Sequence, residues 1–439
     1  MDTPIEVKPS LPPPLPLLDS KQPPESPPRT IMQMVTPGIR ARRNKRLLLY
    51  FHIPFCSSKC HFCDWVVGYE TSDLVNRGEL RERYVDAMVQ QVRTYAPRLA
   101  ELRYRVTNIY WGGGTPTRLE ASQIARIHDA VAESMDLSQL TEYTAEGSPE
   151  TVSAAHLETW MKRGLNRQSI GVQSFDNQVL KRMGRAHDAG KAEQALELFR
   201  QAGLQNYNID LIAGFPDQSR DSLLDSLWRT IDLGVPHVSL YMFREFASNL
   251  VSVVQAAAGH RRQTSAEVRA EAYFAASQML RDAGYNEYLV GYFAREDRFQ
   301  FDAEEYYFGM HGDYFGFGAG ATSTIGRFSL KSRDSSRYGS SHVRAFVEDP
   351  DKMVAAPCQY IPDDVYITSY FKAFVTREGL RFDRWNDQFG FDFQTFRKNR
   401  PGIRKWFADR EAEGARFIED ARGIRLTPET WAPSMVWRR

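Results

Sequence analysis

From residue 47 onward, short apolar runs alternate with longer stretches in which apolar residues return every three or four positions. Residues 47–53 (Leu-Leu-Leu-Tyr-Phe-His-Ile) are nearly unbroken in apolar character, the pattern of a strand buried on both faces of a parallel sheet. Residues 79–94 predict a long amphipathic helix, and residues 108–111 a strand running into glycines. Residues 122–131 predict a helix with Ile124, Ile127 and Val131 on one face. Further strands follow at 142–145, 169–172, 207–212 and 238–242, with helices at 154–161, 191–202 and 221–233. Gly203 and Gly234 stand where helix C-termini favour glycine. Six strands with intervening helices predict an α/β fold whose parallel sheet is curled by right-handed crossovers into a full or partial barrel. In such barrels the chemistry sits at the C-terminal ends of the strands.

Past residue 246 the alternation stops. Residues 265–283 predict a helix, 285–293 a strand, and 306–320 form an aromatic, glycine-rich segment. From residue 362 the pattern predicts two helices and a hairpin around 416–426, a helical, winged-helix-like accessory domain. Pro12, Pro13 and Pro14 lie in a proline-crowded start that cannot build a core. The expected division is a disordered segment at 1–40, a barrel with its extension at 41–325, and the accessory domain at 326–439.

Composition narrows the function classes. The chain is 42% hydrophobic and 25% charged with a formal charge of +1, so its overall charge gives no case for a nucleic-acid partner. The short basic run Arg40, Arg42, Arg43, Lys45 and Arg46 reads as a solvated edge. No apolar run approaches the roughly 18 residues of a membrane helix, and no secretory signal is evident. The expectation is a cytoplasmic monomer with no membrane partner.

Of four cysteines, Cys56, Cys60 and Cys63 fall within eight residues, in a loop directly after the first buried strand. A disulfide scaffold would spread them and need more. Cys358 stands apart and reads as a buried small hydrophobe. Three thiolates can hold three irons of a cubane cluster and leave the fourth iron open, as a catalytic site requires. A zinc site is the competing reading, but His61, lying between Cys60 and Cys63, is poorly placed to converge on the same ion.

The spacing Cys56-x3-Cys60-x2-Cys63, within the string Tyr50-Phe51-His52-Ile53-Pro54-Phe55-Cys56, resembles the radical S-adenosylmethionine (SAM) superfamily, in the branch similar to oxygen-independent coproporphyrinogen oxidase. The resemblance runs from about Tyr50 to Gly320. It implies a partial (β/α)6 TIM-like barrel, a 4Fe–4S cluster on the three cysteines, two SAM molecules, and a flavodoxin- or ferredoxin-type electron donor. It also implies site roles. Gly112, Gly113 and Gly114, followed by Thr115, would lie against the SAM amino group. Glu146 would hold the methionyl or ribose part, and Gln173 would contact SAM. Arg185 would pair with a SAM carboxylate, Asp210 would contact a ribose or amine, and Tyr50 would face the SAM pocket.

Three branch members compete. Coproporphyrinogen oxidation is disfavoured because Asp64 and Trp65 follow Cys63, where that group has a further cysteine. Haem chaperones share the Cys-Asp-aromatic ending. They carry a His-Asn pair where this chain reads Ala303-Glu304-Glu305-Tyr306-Tyr307-Phe308, although His311 lies nearby. The altered stretch leads to the third expectation: a class C radical SAM methyltransferase or cyclopropanase of antibiotic biosynthesis. It would transfer a methyl or methylene unit to an sp2 carbon of a conjugated or aromatic natural product. Tyr69, Glu304, Tyr306 and His311 are then the expected proton-transfer residues, by location, with Tyr314 beside them.

Overall fold

The computed structural model describes residues 45–63, 68–69, 77–243, 266–303, 312–326, 328–331, 341–350, 359–360, 369–427 and 430. Strand β1 (Arg46–Ile53) leads into two short strands, β2 (Phe55–Cys56) and β3 (Gly68–Tyr69), which pair in parallel with each other. The barrel continues through β4 (Arg105–Gly113), β5 (Glu142–Gly147), β6 (Arg167–Gln173), β7 (Tyr207–Ala213) and β8 (His237–Met242). Each of these pairs in parallel with its predecessor, in the order β1-β4-β5-β6-β7-β8. This is the partial (β/α)6 barrel expected from the alternation.

The helices pack on the outer face as their periodicity dictates. Helix Ala121–Ala132 buries Ile124, Ile127 and Val131, and helix Arg220–Asp232 buries Leu223 and Leu227. Their starts are set locally. Ser153, Asp176, Asp188 and Ser219 each accept a backbone N–H of the first turn, satisfying donors the helix cannot pair internally. Inside the sheet layer Phe51 stacks on Trp111 at 4.8 Å and on Phe317 at 5.3 Å.

In the sheet, two expectations change. Residues 285–293 are not one strand but two, β9 (Asn286–Leu289) and β10 (Tyr292–Ala294), turned back on each other as an antiparallel pair. The break is Gly291: its φ is +86°, and a Cβ there would lie 2.7 Å from the Leu240 carbonyl oxygen. Part of the aromatic segment 306–320 also has a plain structural role. β11 (Asp313–Phe317) adds in parallel to the free side of β1, and Phe315 and Phe317 are wholly buried. The alternation of a strand sends those two rings into the core, where they pack. The sheet then grows antiparallel through β12 (Thr322–Ile325), β13 (Phe328–Lys331) and β14 (Gln359–Tyr360).

The C-terminal part carries β15 (Leu380–Arg381), helices Phe382–Phe389, Phe393–Lys398 and Pro401–Ala412, and a hairpin of β16 (Phe417–Glu419) and β17 (Gly423–Leu426). Three helices stand where two were expected, because Asp392 starts a new helix immediately after the Gly390 stop. Trp385, wholly buried, anchors this unit with Phe393 at 4.8 Å and Phe396 at 5.2 Å.

The N-terminal end of the barrel is closed by residues 299–303. Glu142, first residue of β5, accepts the backbone N–H groups of Asp302 (2.9 Å) and Ala303 (3.2 Å). Arg167, first residue of β6, donates to the Phe299 carbonyl at 2.9 Å and lies 5.0 Å from the Phe301 ring centroid. Burial, opposed by Arg167 and reinforced by Asp302, raises the Glu142 carboxyl to about 7. An unshifted glutamate titrates at 4.5. Between these values the folded chain holds a proton the unfolded chain has released. Stability from this group is therefore full below about pH 4.5 and is lost as pH rises toward 7. Glu142→Gln is expected to flatten that decline in melting temperature. Equal slopes for wild type and variant would show that Glu142 is already ionised in the fold.

Candidate functional site

At the opposite end, the strands deliver the chemistry-bearing residues to one rim. β1 runs straight into Cys56 at the end of β2, and Cys60 and Cys63 follow in the loop. That loop is clamped onto the segment after β6. His61 Nδ1 donates to the Arg182 carbonyl at 2.7 Å, the His61 N–H donates to the Met183 carbonyl at 2.9 Å, and the Ser58 hydroxyl lies 3.4 Å from the Gly184 carbonyl. His61 is thus held to the backbone after β6 through both its ring Nδ1 and its amide.

The glycine run that ends β4 packs against the strand feeding the cysteines. Gly113 has φ +104°, and a Cβ there would lie 2.6 Å from the His52 ring. A Cβ on Gly114 would lie 2.8 Å from the Ile53 carbonyl oxygen and 2.9 Å from that of Phe55. The close approach these glycines permit is therefore, in the structure, an approach to β1 and β2. Gly112 faces another way, with its Cβ direction blocked by Tyr110 at 2.7 Å and by the Glu146 carboxylate at 3.0 Å. Thr115 places its hydroxyl 3.7 Å from Cys56 Sγ.

Glu146 lies near the end of β5 and accepts a hydrogen bond from the Tyr110 hydroxyl. Burial first, then the Glu146 charge, drives the Tyr110 phenol well above its ordinary range, so it stays a donor. Tyr50 stacks on Tyr110 at 5.9 Å, and its hydroxyl is 3.0 Å from His52 Nδ1. Gln173, at the end of β6, adopts φ +71°, a left-handed conformation rare for glutamine; strain of this kind concentrates at functional sites. Asp210 lies midway along β7 and accepts from Asn208 Nδ2 at 2.8 Å. Burial, countered by the Asn208 and Ser239 hydrogen bonds, lifts its carboxyl to about 6. Asn208 is itself held by His237 Nδ1 at 2.6 Å and by the Ser239 hydroxyl at 3.0 Å.

Arg185 spans the rim. Its Nη1 donates to Cys60 Sγ at 3.0 Å, and its Nη2 donates to the Gly171 carbonyl at 2.6 Å and the Ser148 hydroxyl at 3.0 Å. Behind it stand Ser148, Glu150 and His187, none of which the sequence reading singled out. Ser148 and Glu150 follow the β5 end closely, a position that could have flagged them. His187 carried no such signal.

The expected proton-transfer residues are less defined. The backbone of Tyr69 pairs opposite Cys56 through β3, beside the first cysteine. Glu304, Tyr306 and His311 lie outside the described residues. The flanking positions do not: Ala303 is held by Glu142, and Asp313 pairs with Leu47, both at the barrel end away from the cysteines. Tyr314 donates to or accepts from the Thr322 hydroxyl at 2.7 Å.

The donor set fits an iron–sulfur cluster. Burial pushes the Cys56 thiol up to about 12; Thr115 and Arg185 counter this, while Cys63 and Cys60 add to it. The three thiols are thus electrostatic neighbours. Yet no three His, Cys, Asp or Glu side chains among the described residues converge closely enough for one ion. Three neighbouring thiols from one short loop suit ligands on separate irons of a cluster. A single zinc needs every sulfur at about 2.3 Å.

Comparison with known proteins shows the family. Residues 50–227 match the radical SAM superfamily, and the chain belongs to it. Its place is the branch of the haem chaperone HemW and of HemN. It is 31% identical to the haem chaperone HemW of Lactococcus lactis over 288 residues, covering 64% of this chain and 70% of that protein. It is 33% identical to Escherichia coli HemW over 282 residues, again 64% and 70%. The solved coproporphyrinogen III oxidase (HemN) of E. coli has the same fold, with a TM-score of 0.72 and 23% identity over 93% of this chain and 91% of that one. The radical SAM fold implies a 4Fe–4S cluster and SAM.

These relatives overturn the expectation of a methyltransferase or cyclopropanase acting on a natural product in antibiotic biosynthesis. That expectation rested on a short altered stretch, 303–308. The similarity to haem-related proteins extends over some 280 residues and outweighs it. Among the described residues no helix is long and apolar enough to cross a membrane.

Proposed function

We propose that this chain is a cluster- and SAM-binding haem chaperone of the HemW type, whose ligand is a tetrapyrrole. The observation that supports this most is its similarity to HemW proteins over about 70% of their length. The pair Asp64-Trp65 after Cys63, in place of a further cysteine, favours the chaperone over coproporphyrinogen oxidation.

In this reading Cys56, Cys60 and Cys63 hold the cluster, with Thr115 and Arg185 donating to two of the sulfurs. Bound there, the cluster supplies a single electron for SAM chemistry. The Tyr110 hydroxyl orients the Glu146 carboxylate toward the rim, where it can meet a cationic or hydroxyl group of SAM. Asp210, fixed by Asn208, offers a second carboxyl deeper in the barrel. A flavodoxin- or ferredoxin-type protein would supply the electron.

The test is titration of the anaerobically reconstituted protein with haemin, followed in the Soret region, with bound SAM counted by equilibrium dialysis. The expected result is a saturable, roughly one-to-one haem complex. Two SAM per chain would support the second molecule implied by the resemblance; one would remove it. Cluster-loaded protein that leaves the haemin spectrum unchanged, yet converts coproporphyrinogen, would replace the chaperone reading with the oxidase.

A further inference from the structure

The rim holds a chain of polar groups that the barrel itself does not require, and it ends on Arg185, the residue the resemblance also sets against a SAM carboxylate. The Arg185 Nη2 donates to the Ser148 hydroxyl, which donates to Glu150 Oε2; His187 Nδ1 faces the same oxygen at 3.3 Å. His187 is pinned in turn, its Nε2 donating to the Val172 carbonyl at 3.2 Å. Ser148 and His187 are buried, at 4% and 6% exposure, and the His187 side chain is fully enclosed. Burial alone would raise the Glu150 carboxyl, but His187, Arg185 and Ser148 together outweigh it and hold it at about 2. An ionised carboxylate therefore stands behind the guanidinium, and the guanidinium meets a cluster-ligand sulfur.

We propose that Arg185 is a tuning residue for the iron–sulfur cluster, fixed against Cys60 Sγ by the Ser148–Glu150–His187 relay so that its cationic hydrogen bond sets the cluster's reduction potential. The inference rests on the superfamily assignment and not on the tetrapyrrole reading. The physical basis is direct. Reduction adds negative charge to the cluster and its thiolates, and hydrogen bonds and net charge around the sulfurs are levers on the potential. A cation 3.0 Å from Cys60 Sγ stabilises the reduced state more than the oxidised one. The planar fork lets one guanidinium serve Cys60, Gly171 and Ser148 together, which a lysine cannot do. Glu150 opposes that cation at longer range while orienting it. The two charges thus act on the potential with opposite sign.

The experiment is an EPR-monitored reductive titration of the full-length, reconstituted protein without SAM or haem. Arg185→Met is expected to keep its iron and sulfide and to lower the midpoint. The reduced-to-oxidised ratio at fixed potential should fall by tenfold or more, which is about 59 mV for a one-electron couple. Arg185→Lys should restore part of that shift. Glu150→Gln, nearly isosteric, should move the midpoint the other way. An Arg185→Met midpoint within twofold of wild type in that ratio overturns the proposal, even with a lowered melting temperature, because that pattern marks a structural role only. If Arg185→Met takes up no cluster, Arg185→Lys and Glu150→Gln decide: unmoved midpoints in both overturn it, and opposite shifts support it.

Discussion

Cys60→Ala protein, reconstituted without oxygen, is expected to come out nearly colourless and to have lost reductive cleavage of SAM by more than roughly 100-fold, since even groups that only support metal ligands are worth about 10–100-fold. The position is more exacting than its two companions. Cys60 is the sulfur that receives the Arg185 guanidinium at 3.0 Å, and the same loop is clamped by His61 to the Arg182 and Met183 carbonyls. The alanine variant removes a proposed cluster ligand and leaves a partly buried cation without its sulfur partner. Iron and sulfide analysis, with quantified 5′-deoxyadenosine, checks the outcome. Full iron content and undiminished cleavage would remove Cys60 from the ligand set. The fold should persist, because the clamp on His61 does not pass through the thiol.

Gly113→Ala is expected to cost about 3 kcal/mol, and with it much of the cluster occupancy. Two terms contribute. At φ +104° an L-residue pays about 1–2 kcal/mol of backbone strain. The added methyl would lie 2.6 Å from the His52 ring, and overpacking of a filled site costs about 1–3 kcal/mol. His52 cannot yield freely, since its ring nitrogen meets the Tyr50 hydroxyl and its carbonyl accepts from Tyr84. The strain therefore passes along β1 into the turn that presents Cys56. Gly203→Ala is the control: its φ is +75°, but nothing lies within 4 Å of the added atom. Thermal melts of both variants, with iron content, separate strain from packing. Equal losses at the two positions would show that His52 moves aside and that the glycine run is needed only for its backbone angle.

The division of labour at the rim bears on how such a site is recognised. Glu146, Gln173 and Asp210 were picked out through the family resemblance, and Glu146 and Gln173 lie near C-terminal strand ends, where these barrels carry their chemistry. Tyr110 escaped notice because a tyrosine inside an apolar strand looks like core. Its role depends on which face the strand turns toward Glu146, and that is fixed only by the register of β4 against β5. Glu150 and His187 were missed for a related reason. They are 37 positions apart, and they meet only because β5 and β6 are neighbours whose trailing segments converge.

The sequence by itself determined what depends on neighbours along the chain. The strand–helix alternation marked all six barrel strands, since burial on one face or two leaves a periodic trace. The Cys56, Cys60 and Cys63 spacing carried the proposed cluster ligands, because one short loop supplies all three sulfurs. The hairpin at 416–426 was readable on the same grounds, and β16 and β17 fall within it. Tertiary structure decided what depends on partners far apart in sequence. Residues 285–293 break into two strands because Gly291 meets the Leu240 carbonyl, 51 positions earlier. The rings of Phe315 and Phe317 become core because β1 left a free edge for β11 to fill. Arg185 reaches Cys60 across 125 positions, a contact that no local pattern encodes. Periodicity records whether a residue is buried, but not what it is buried against, and the chemistry of this rim lies in the second.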